Sequence, residues 1–300
     1  MTVVPPLRGR ARAGASIRGA RGRLDCRPMT GRDLDTPYAL QDAQLACYRK
    51  DGFVKLSQAL RAQTVLESGQ AVTAAVTERT TPARPMAERT TYERAFVQVT
   101  NLWTRAEGVR RLVFSRRLAR LAAELMGVRG VRLYHDQALY KEAGGGFTPW
   151  HADQYYWPLA TELCCTAWLP LQRTPLEMGP IAFAPGSQRF RAGRELPIGD
   201  ESEATLGPRL EQAGFGLVEE PFELGDVSFH AGWTFHRAGA NRTRHCREAI
   251  TVIYMDSEMR LVAPRNSHQV ADWQAWCPGA VVGERIETPL NPVLYEAEEA

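Results

Sequence analysis

Cysteine is scarce in this sequence and shows no ordered spacing. The 300 residues contain six cysteines, with no CxxC pair and no regular framework. Cys164 and Cys165 are adjacent, so on a strand their side chains would point to opposite faces. A disulfide-stapled secreted fold is therefore not expected, and we interpret all six cysteines as reduced thiols of a cytoplasmic protein.

Long apolar runs are missing too. Every candidate for a membrane-spanning segment is interrupted by charges within about ten residues, which is roughly half the length that a helix needs to cross a bilayer. The N-terminus also lacks the apolar core of a secretory signal. We therefore expect neither a membrane span nor a secreted precursor.

Acidic residues are almost absent from the first 32 residues, which contain eight arginines and only Asp25. Since the whole chain has a net charge of +3, the remainder is net acidic, and a nucleic-acid-binding surface spread over the fold is not expected. The segment is rich in Gly, Ala and Arg without apolar periodicity, which predicts a disordered arm over residues 1–36. Nucleic-acid binding by this arm, a transit peptide and a true start at Met29 are alternatives that its composition leaves open.

Residues 37–300 are predicted to form one domain, helical at first and rich in strands after Gly130. Apolar spacing predicts three helices, at residues 38–52, 59–76 and 107–127. The later sequence has short apolar runs such as TAWLPL, PIAFAPG and REAITVIYM, separated by Gly/Pro turns. This spacing favours a sandwich or barrel over alternating β-α-β units. The expected fold class is α+β or mainly β, with an N-terminal helical layer on a β-rich body.

The stretch PWHADQYYWPL contains a candidate metal site. On a strand, side chains two residues apart share a face, so His151 and Asp153 can point to the same place. An imidazole and a carboxylate suit a first-row metal, and two histidines with one carboxylate form the arrangement used by oxygen-activating Fe(II). The pair alone is equally compatible with the polar edge of a strand.

The segment GDVSFHAGWTFHRAGANRTRHCREAITVIYM offers the further residues that such a site needs. His236 precedes a Gly-containing turn and can face a cavity, whereas His230 is expected to end a strand in the core or beside a metal ligand. Arg247 begins an apolar strand, and a buried guanidinium needs a carboxylate partner. Glu248 would face the other way, so an external dicarboxylate is predicted as the partner. A surface position for Arg247 is the alternative.

In order and spacing, these residues resemble the phytanoyl-CoA dioxygenase family of Fe(II)/2-oxoglutarate oxygenases over residues 39–256. The blocks that carry the resemblance are RKDGFVKL, YKEAGGGFTPWHADQYYWPL, CCTAWLPLQRTPLEMGPIAFAPGSQRF and GDVSFHAGWTFHRAGANRTRHCR. The resemblance implies a double-stranded β-helix, or cupin-like jelly-roll, flanked by N-terminal helices. It implies that His151, Asp153 and His236 hold the catalytic iron and that Arg247 binds the distal carboxylate of 2-oxoglutarate. Trp168 would line the co-substrate pocket.

The family often has a serine two residues after the second histidine, where this chain has Ala238. A polar group on the strand ahead of the ligands, Gln137 or Tyr140, could replace the lost contact to the co-substrate. Asp153 is retained, which argues against the halogenating relatives, in which a small residue takes this place.

The resemblance implies a dioxygenase that uses O2 and 2-oxoglutarate to hydroxylate a small molecule and releases succinate and CO2. Aromatic residues around the ligands suit a partly apolar substrate, a secondary metabolite or a lipid-like molecule. Candidate substrate contacts are Tyr155, Trp157 and Phe235, and residues 78–94 are a candidate lid. Ring closure, epimerisation or desaturation by the same chemistry, a non-redox isomerase or hydrolase of the same fold, and a silent binding module are the alternatives.

Overall fold

The computed structural model describes residues 32–80 and 85–298 of the chain. The helices in these ranges are α1 (Arg32–Asp35), α2 (Asp42–Asp51), α3 (Ala62–Thr77), α4 (Thr91–Ala95), α5 (Glu107–Val113), α6 (Arg116–Met126), α7 (Asp200–Gln212) and α8 (Ser267–Trp276). None of the helices in the described ranges has the length and apolar character needed to cross a membrane. The five described cysteines are free thiols, as predicted, and Cys26 lies outside the described residues.

Two antiparallel sheets form the β-rich part. Their strands are β1 (Phe53–Leu56), β2 (Val97–Thr100), β3 (Gly130–Lys141), β4 (Thr148–His151), β5 (Cys164–Pro170), β6 (Ile181–Phe183), β7 (Val218–Glu219), β8 (Val227–Ala231), β9 (His236–Ala238), β10 (Arg247–Asp256) and β11 (Val293–Glu296). The large sheet has the order β1-β8-β5-β10-β3-β11, with β2 also paired to β3, and the small sheet has the order β4-β9-β6-β7. The predicted combination of helices with a strand-rich body is confirmed, and the strands form antiparallel sheets.

The two faces of the large sheet have different partners because successive side chains on a strand point to opposite sides. Along β10, Ile250, Val252 and Tyr254 join the main hydrophobic core, to which the N-terminal helices contribute. Arg247, Thr251 and Ile253 alternate with them and point to the opposite side, which we call the inner face. The small sheet packs against the inner face, where the rings of Phe53 and Phe183 stack 4.2 Å apart. The space between the sheets is therefore where inward-pointing polar residues meet.

The helix predicted over residues 107–127 is wrong in one respect, because it is two helices. Ser115 interrupts it, and its side chain accepts a hydrogen bond from Leu118 N at the start of α6. A serine that caps a helix satisfies a backbone donor that would otherwise lack a partner, so it favours a new helix start over continuation. The predicted end at Gly127 is confirmed, since Gly127 adopts the left-handed conformation after α6.

The N-terminal arm predicted over residues 1–36 lies mostly outside the described residues, and its predicted boundary is too late. Residues 32–35 form α1, in which Leu34 is buried. The carboxylate of Asp33 accepts hydrogen bonds from Arg61 N at 2.8 Å and from Thr64 Oγ1 at 2.7 Å. These contacts attach α1 to the start of α3.

Gly179 marks a close approach between two backbone segments near the inner face. It has a positive φ of 67°, and a Cβ at this position would overlap the backbone carbonyl of Gly239. Its own carbonyl oxygen accepts a hydrogen bond from Arg247 Nη1 at 3.4 Å. The glycine therefore allows the segment after β9 to reach the region around Arg247.

We predict that Gly179→Ala destabilises the protein more than Gly127→Ala. Gly127 has a similar φ of 70° but nothing within 4 Å of a Cβ, so that variant isolates the cost of the left-handed backbone, about 1–2 kcal/mol. Gly179→Ala adds a steric overlap worth about 1–3 kcal/mol. Urea denaturation of both variants measures the difference, and equal losses in the free energy of unfolding would contradict this account.

Candidate metal centre

Three potential metal ligands come together between the sheets. His151 ends β4 and His236 begins β9, and the two residues are paired across the small sheet. The Nε2 atom of each imidazole lies 3.6 Å from Asp153 Oδ1. One ligand atom from each of the three residues lies within 4.8 Å of the others.

The structure brings His151 and Asp153 together for a different reason from the one that the sequence suggested. Asp153 is not on a strand, since β4 ends at His151 and a 3₁₀ turn follows at Asp153–Tyr156. Gln154 N in this turn donates to Gly232 O at 2.9 Å, which ties the turn to the segment after β8. The prediction of a shared strand face is wrong, although the two side chains do point to the same place.

Both imidazoles are oriented by backbone carbonyls. His151 Nδ1 lies 2.8 Å from Pro149 O, and His236 Nδ1 lies 3.0 Å from Thr234 O. Because a carbonyl can only accept, the proton of each neutral ring is on Nδ1 and the lone pair is on Nε2. Each ring therefore presents a metal-binding nitrogen toward Asp153 Oδ1.

The second carboxylate oxygen of Asp153 is held by the large sheet. Asp153 Oδ2 accepts from Thr166 Oγ1 on β5 at 2.9 Å and lies 3.2 Å from His230 Nε2 on β8. These contacts orient Asp153 so that Oδ1 faces the histidines. His230 thus lies beside a metal ligand, one of the two positions that the sequence suggested, whereas no sequence pattern indicated Thr166.

The site holds its three ligands in the protonation states that metals bind. Burial lowers the pKa of His151 to about 3 and that of His236 to about 4, so both are neutral at neutral pH. Burial acts to raise the pKa of Asp153, but His236 and the hydrogen bond to His230 outweigh it and lower this pKa below its usual range. Two neutral imidazoles and a carboxylate are ready to bind a divalent cation.

A second part of the site surrounds Arg247, which is 2 % exposed. Its Nη1 and Nη2 make long hydrogen bonds to the carbonyls of Gly179, at 3.4 Å, and Leu139, at 3.3 Å, and its Nε has no partner. The guanidinium lies 5.5 Å from the ring of Trp168, which points to the inner face from β5. Burial lowers the pKa of Arg247 to about 10, so it remains charged at neutral pH.

Lys141 lies directly opposite Arg247, and no sequence pattern indicated its role. Its ammonium donates to Gly146 O at 2.6 Å, to Gly239 O at 2.8 Å and to Thr148 Oγ1 at 3.3 Å. Burial, followed by the charge of Arg247, lowers its pKa to about 6. Among the described residues no carboxylate contacts either Arg247 or Lys141, so this end of the site is suited to an anion.

The two candidates for a replacement of the missing serine contact lie on opposite faces of β3. Gln137 is paired with Thr251 and points to the inner face, where its amide oxygen accepts from Gln98 Nε2. Tyr140 points to the helical side, and its hydroxyl bonds to Thr73 Oγ1 at 2.7 Å. The expectation that Tyr140 faces the co-substrate is therefore wrong, because a strand alternates its side chains.

Only one of the three candidate substrate contacts is partly exposed. Tyr155 is partly exposed and follows Asp153 in the 3₁₀ turn, with its ring 5.7 Å from that of His268. Trp157 is buried in a cluster with Tyr134, and Phe235 is buried in a cluster beneath α7. The assignment of Trp157 to the substrate wall is wrong, since the turn breaks the alternation from which its face was deduced. Phe235 packs in the cluster beneath α7 instead of lining a substrate wall.

The sequence model of the phytanoyl-CoA dioxygenase family matches residues 48–249, more than half of the chain. No curated protein sequence matches it. Among solved structures, the chain is similar to SnoN, an α-ketoglutarate-dependent epimerase from nogalamycin biosynthesis solved with Fe3+, α-ketoglutarate and nogalamycin RO. The identity is 28%, the TM-score is 0.67, and the match covers 84% of this chain and 98% of SnoN.

Two further structures share the fold at lower identity. The carbocyclase SnoK, also from nogalamycin biosynthesis, is 24% identical with a TM-score of 0.70, and the match covers 86% of this chain and 99% of SnoK. EctD from S. alaskensis, solved with 2-oxoglutarate and 5-hydroxyectoine, is 21% identical with a TM-score of 0.63, and the match covers 84% and 89% of the two chains. The fold seen here therefore occurs in proteins whose structures contain iron or 2-oxoglutarate.

We predict that Thr166→Val weakens binding of a divalent metal about tenfold, because Asp153 loses a hydrogen bond that orients it. Calorimetric titration with Fe(II) under anaerobic conditions measures the change. Thr64→Val is the matched control, since Thr64 also donates to a buried carboxylate but lies far along the chain in α3. The control is expected to lower stability and leave metal affinity unchanged, and unaltered affinity in Thr166→Val would contradict the role of Thr166.

Proposed function

The chain belongs to the phytanoyl-CoA dioxygenase family of Fe(II)/2-oxoglutarate-dependent enzymes, and from that premise we propose that it oxidises a small-molecule secondary metabolite. One observation supports this assignment of residues: the space between the sheets combines a carboxylate and two imidazoles with a buried, incompletely bonded arginine. A metal site alone would not need Arg247, and a structural arginine would not leave Nε without a partner.

His151, Asp153 and His236 are the proposed iron ligands. Two neutral imidazoles and one carboxylate match the facial triad of oxygen-activating Fe(II) enzymes, in which other coordination positions stay open. The carbonyls of Pro149 and Thr234 fix the rings, and Thr166 and His230 fix the carboxylate. A rigid set of ligands lowers the cost of organising the site when the metal binds.

Arg247 is the proposed partner of the distal carboxylate of 2-oxoglutarate. A guanidinium and a carboxylate form a bidentate pair, and a site with little water makes this pair strong. Trp168 packs beside the guanidinium and forms an apolar wall. The amino group of Lys141 holds the segments after β3 and β9 together, and Gln137 offers a polar contact where Ala238 cannot.

When iron, 2-oxoglutarate and O2 are bound, the centre supplies oxidative decarboxylation of 2-oxoglutarate to succinate and CO2, coupled to oxidation of the substrate. The residues of the chain position the reactants and keep water out. Tyr155 is the proposed substrate wall on the open side. Residues 78–94 are the proposed lid, in which α4 directs the hydroxyl of Tyr92 to Gln98 Oε1 at 2.9 Å. Residues 81–84 lie outside the described part of this segment.

Hydroxylation is the proposed outcome, and ring closure or epimerisation is the second candidate. The similarity to SnoN and SnoK favours the second candidate, since their names describe an epimerase and a carbocyclase. All these outcomes begin with removal of hydrogen from the substrate and differ in the bond that forms afterwards. The position of the substrate, rather than the identity of the metal ligands, therefore selects among them.

We also propose that the two facing sheets form a double-stranded β-helix and that the chain from α1 onward works as a single catalytic domain. Antiparallel pairing throughout both sheets and the ligands at their junction support this interpretation.

The central prediction concerns 2-oxoglutarate. Anaerobic protein with Fe(II) and 2-oxoglutarate is expected to show a metal-to-ligand charge-transfer band. Arg247→Met should weaken 2-oxoglutarate binding at least about 30-fold, which corresponds to the loss of about 2 kcal/mol from a charge-assisted pair. Iron affinity should be unchanged, because Arg247 does not touch the triad.

The matched control for this experiment is Arg237→Met. Arg237 follows the ligand His236, but it forms an ion pair with Glu203 at 2.9 Å and should leave the band unaffected. Absence of the band from the wild-type protein, or full 2-oxoglutarate affinity in Arg247→Met, would overturn the proposed function.

A further prediction separates oxidation from non-redox chemistry. With a substrate found by screening polycyclic natural products, the enzyme should release one succinate for each product formed. Asp153→Ala should abolish both succinate release and product formation, since it removes one of the three proposed iron ligands. Product formation without O2 or succinate would instead support an isomerase or hydrolase.

A further inference from the structure

Helix α8 covers one end of the inner face, next to the proposed iron site. Four residues pair across neighbouring strands in the order His230, Thr166, Ile253 and His135, and we call them the metal row. Thr166 and His230 in this row hold Asp153. The ring of His135, at the other end of the row, stacks on Trp276 of α8 with 4.8 Å between the centroids.

The same helix is attached to the turn that carries Asp153. Gln269 Nε2 on α8 donates to Tyr155 O at 3.0 Å, and the ring of His268 lies near those of Tyr155 and Tyr156. The helix therefore extends from the 3₁₀ turn to the His135 end of the metal row. Asp272 lies between Gln269 and Trp276 on the buried side of α8, because residues three or four apart share a helix face.

Asp272 is buried, and the indole of Trp276 beside it compensates only part of the cost of that burial. It is 1 % exposed, and its Oδ1 has no hydrogen-bond partner. Two neighbouring polar atoms, Trp276 Nε1 and the hydroxyl of Tyr134, also have none. Unpaired polar groups of this kind are costly in a protein interior, and several of them together are typical of a site whose partner is a ligand.

The pKa of Asp272 is dominated by its burial. Burial raises its pKa to about 8, and the negative charge of Asp153 adds to this rise, although the indole of Trp276 offsets part of it. Among the described residues, no Lys, Arg or His forms an ion pair with Asp272. A cation that approached its carboxylate would recover the energy that burial takes away.

We propose that Asp272 anchors the substrate by binding a protonated amine, with Trp276 and Tyr155 contacting the adjoining apolar part. An ammonium supplies both the hydrogen-bond donor and the positive charge that Asp272 lacks, and aromatic faces attract cations. This inference rests on the proposed function, because it places the substrate beside α8 and next to the proposed iron ligands. It adds a chemical class, a small molecule with a basic amine, to the proposed enzyme.

Benzylamine and benzyl alcohol serve as paired probes of equal size. Each is titrated into the anaerobic Fe(II)/2-oxoglutarate protein at neutral pH, and binding is measured by ligand-observed NMR. The charge-transfer band is recorded throughout to verify that the amine does not displace 2-oxoglutarate. The wild-type protein is expected to prefer benzylamine by about tenfold or more, the effect of a hydrogen bond between charged groups.

Asp272→Asn should abolish this preference while it leaves the charge-transfer band intact, and Asp272→Glu should retain part of it. Asp200→Asn, which alters an exposed carboxylate at the start of α7, is the control and should bind benzylamine like the wild-type protein. Equal binding of the two probes, or an undiminished preference in Asp272→Asn, would overturn the inference. Absence of the band in the wild-type protein would overturn the proposed function instead, so the two failures are distinguishable.

Discussion

The carboxylate of Asp153 joins the two sheets at the centre of this protein. Its Oδ2 is bound by residues of the large sheet, Thr166 and His230, and its Oδ1 faces the two histidines of the small sheet. A carboxylate that is buried without partners would be neutral or would destabilise the fold. The contacts with Thr166 and His230 keep it charged, and they position one oxygen for a metal. The distance between the sheets and the geometry of the site therefore depend on the same side chain.

The two ends of the inner face carry different polar groups, so they suit different ligands. Arg247 and Lys141 are paired across β10 and β3 at one end, which suits a dicarboxylate co-substrate. Asp272 and the aromatic residues of α8 lie at the other end, beyond His135. The proposed iron ligands lie between these ends, so the proposed sites of the co-substrate and the substrate lie on different sides of them. With such a separation, residues at the substrate end can differ between relatives while the metal and co-substrate contacts stay the same. One set of these contacts can then serve different substrates.

Several features of the site could be predicted from the sequence because they depend on local chemistry. The order His151, Asp153, His236 and Arg247 indicated the family, and the apolar strand after Arg247 indicated that its charge would be buried. Other predictions failed where the backbone departed from regular alternation. The 3₁₀ turn at Asp153–Tyr156 moved Trp157 into the core, and the strand that bears Gln137 turned Tyr140 toward the helices. Thr166, Lys141 and Asp272 carry no sequence signal, since their contacts join segments that are far apart in the chain.

The sequence by itself therefore determined the class of the protein, its strand-rich body and the residue types that can hold a metal and a dicarboxylate. These depend on spacing, hydropathy and the chemistry of single side chains. Only the tertiary structure decided which atoms face each other: the oxygen of Asp153 that is free for a metal, the lysine opposite Arg247, and the carboxylate on α8 whose Oδ1 has no hydrogen bond. The physical reason is that strand register and helix packing set these distances, and both are established only when distant segments pair and exclude water together.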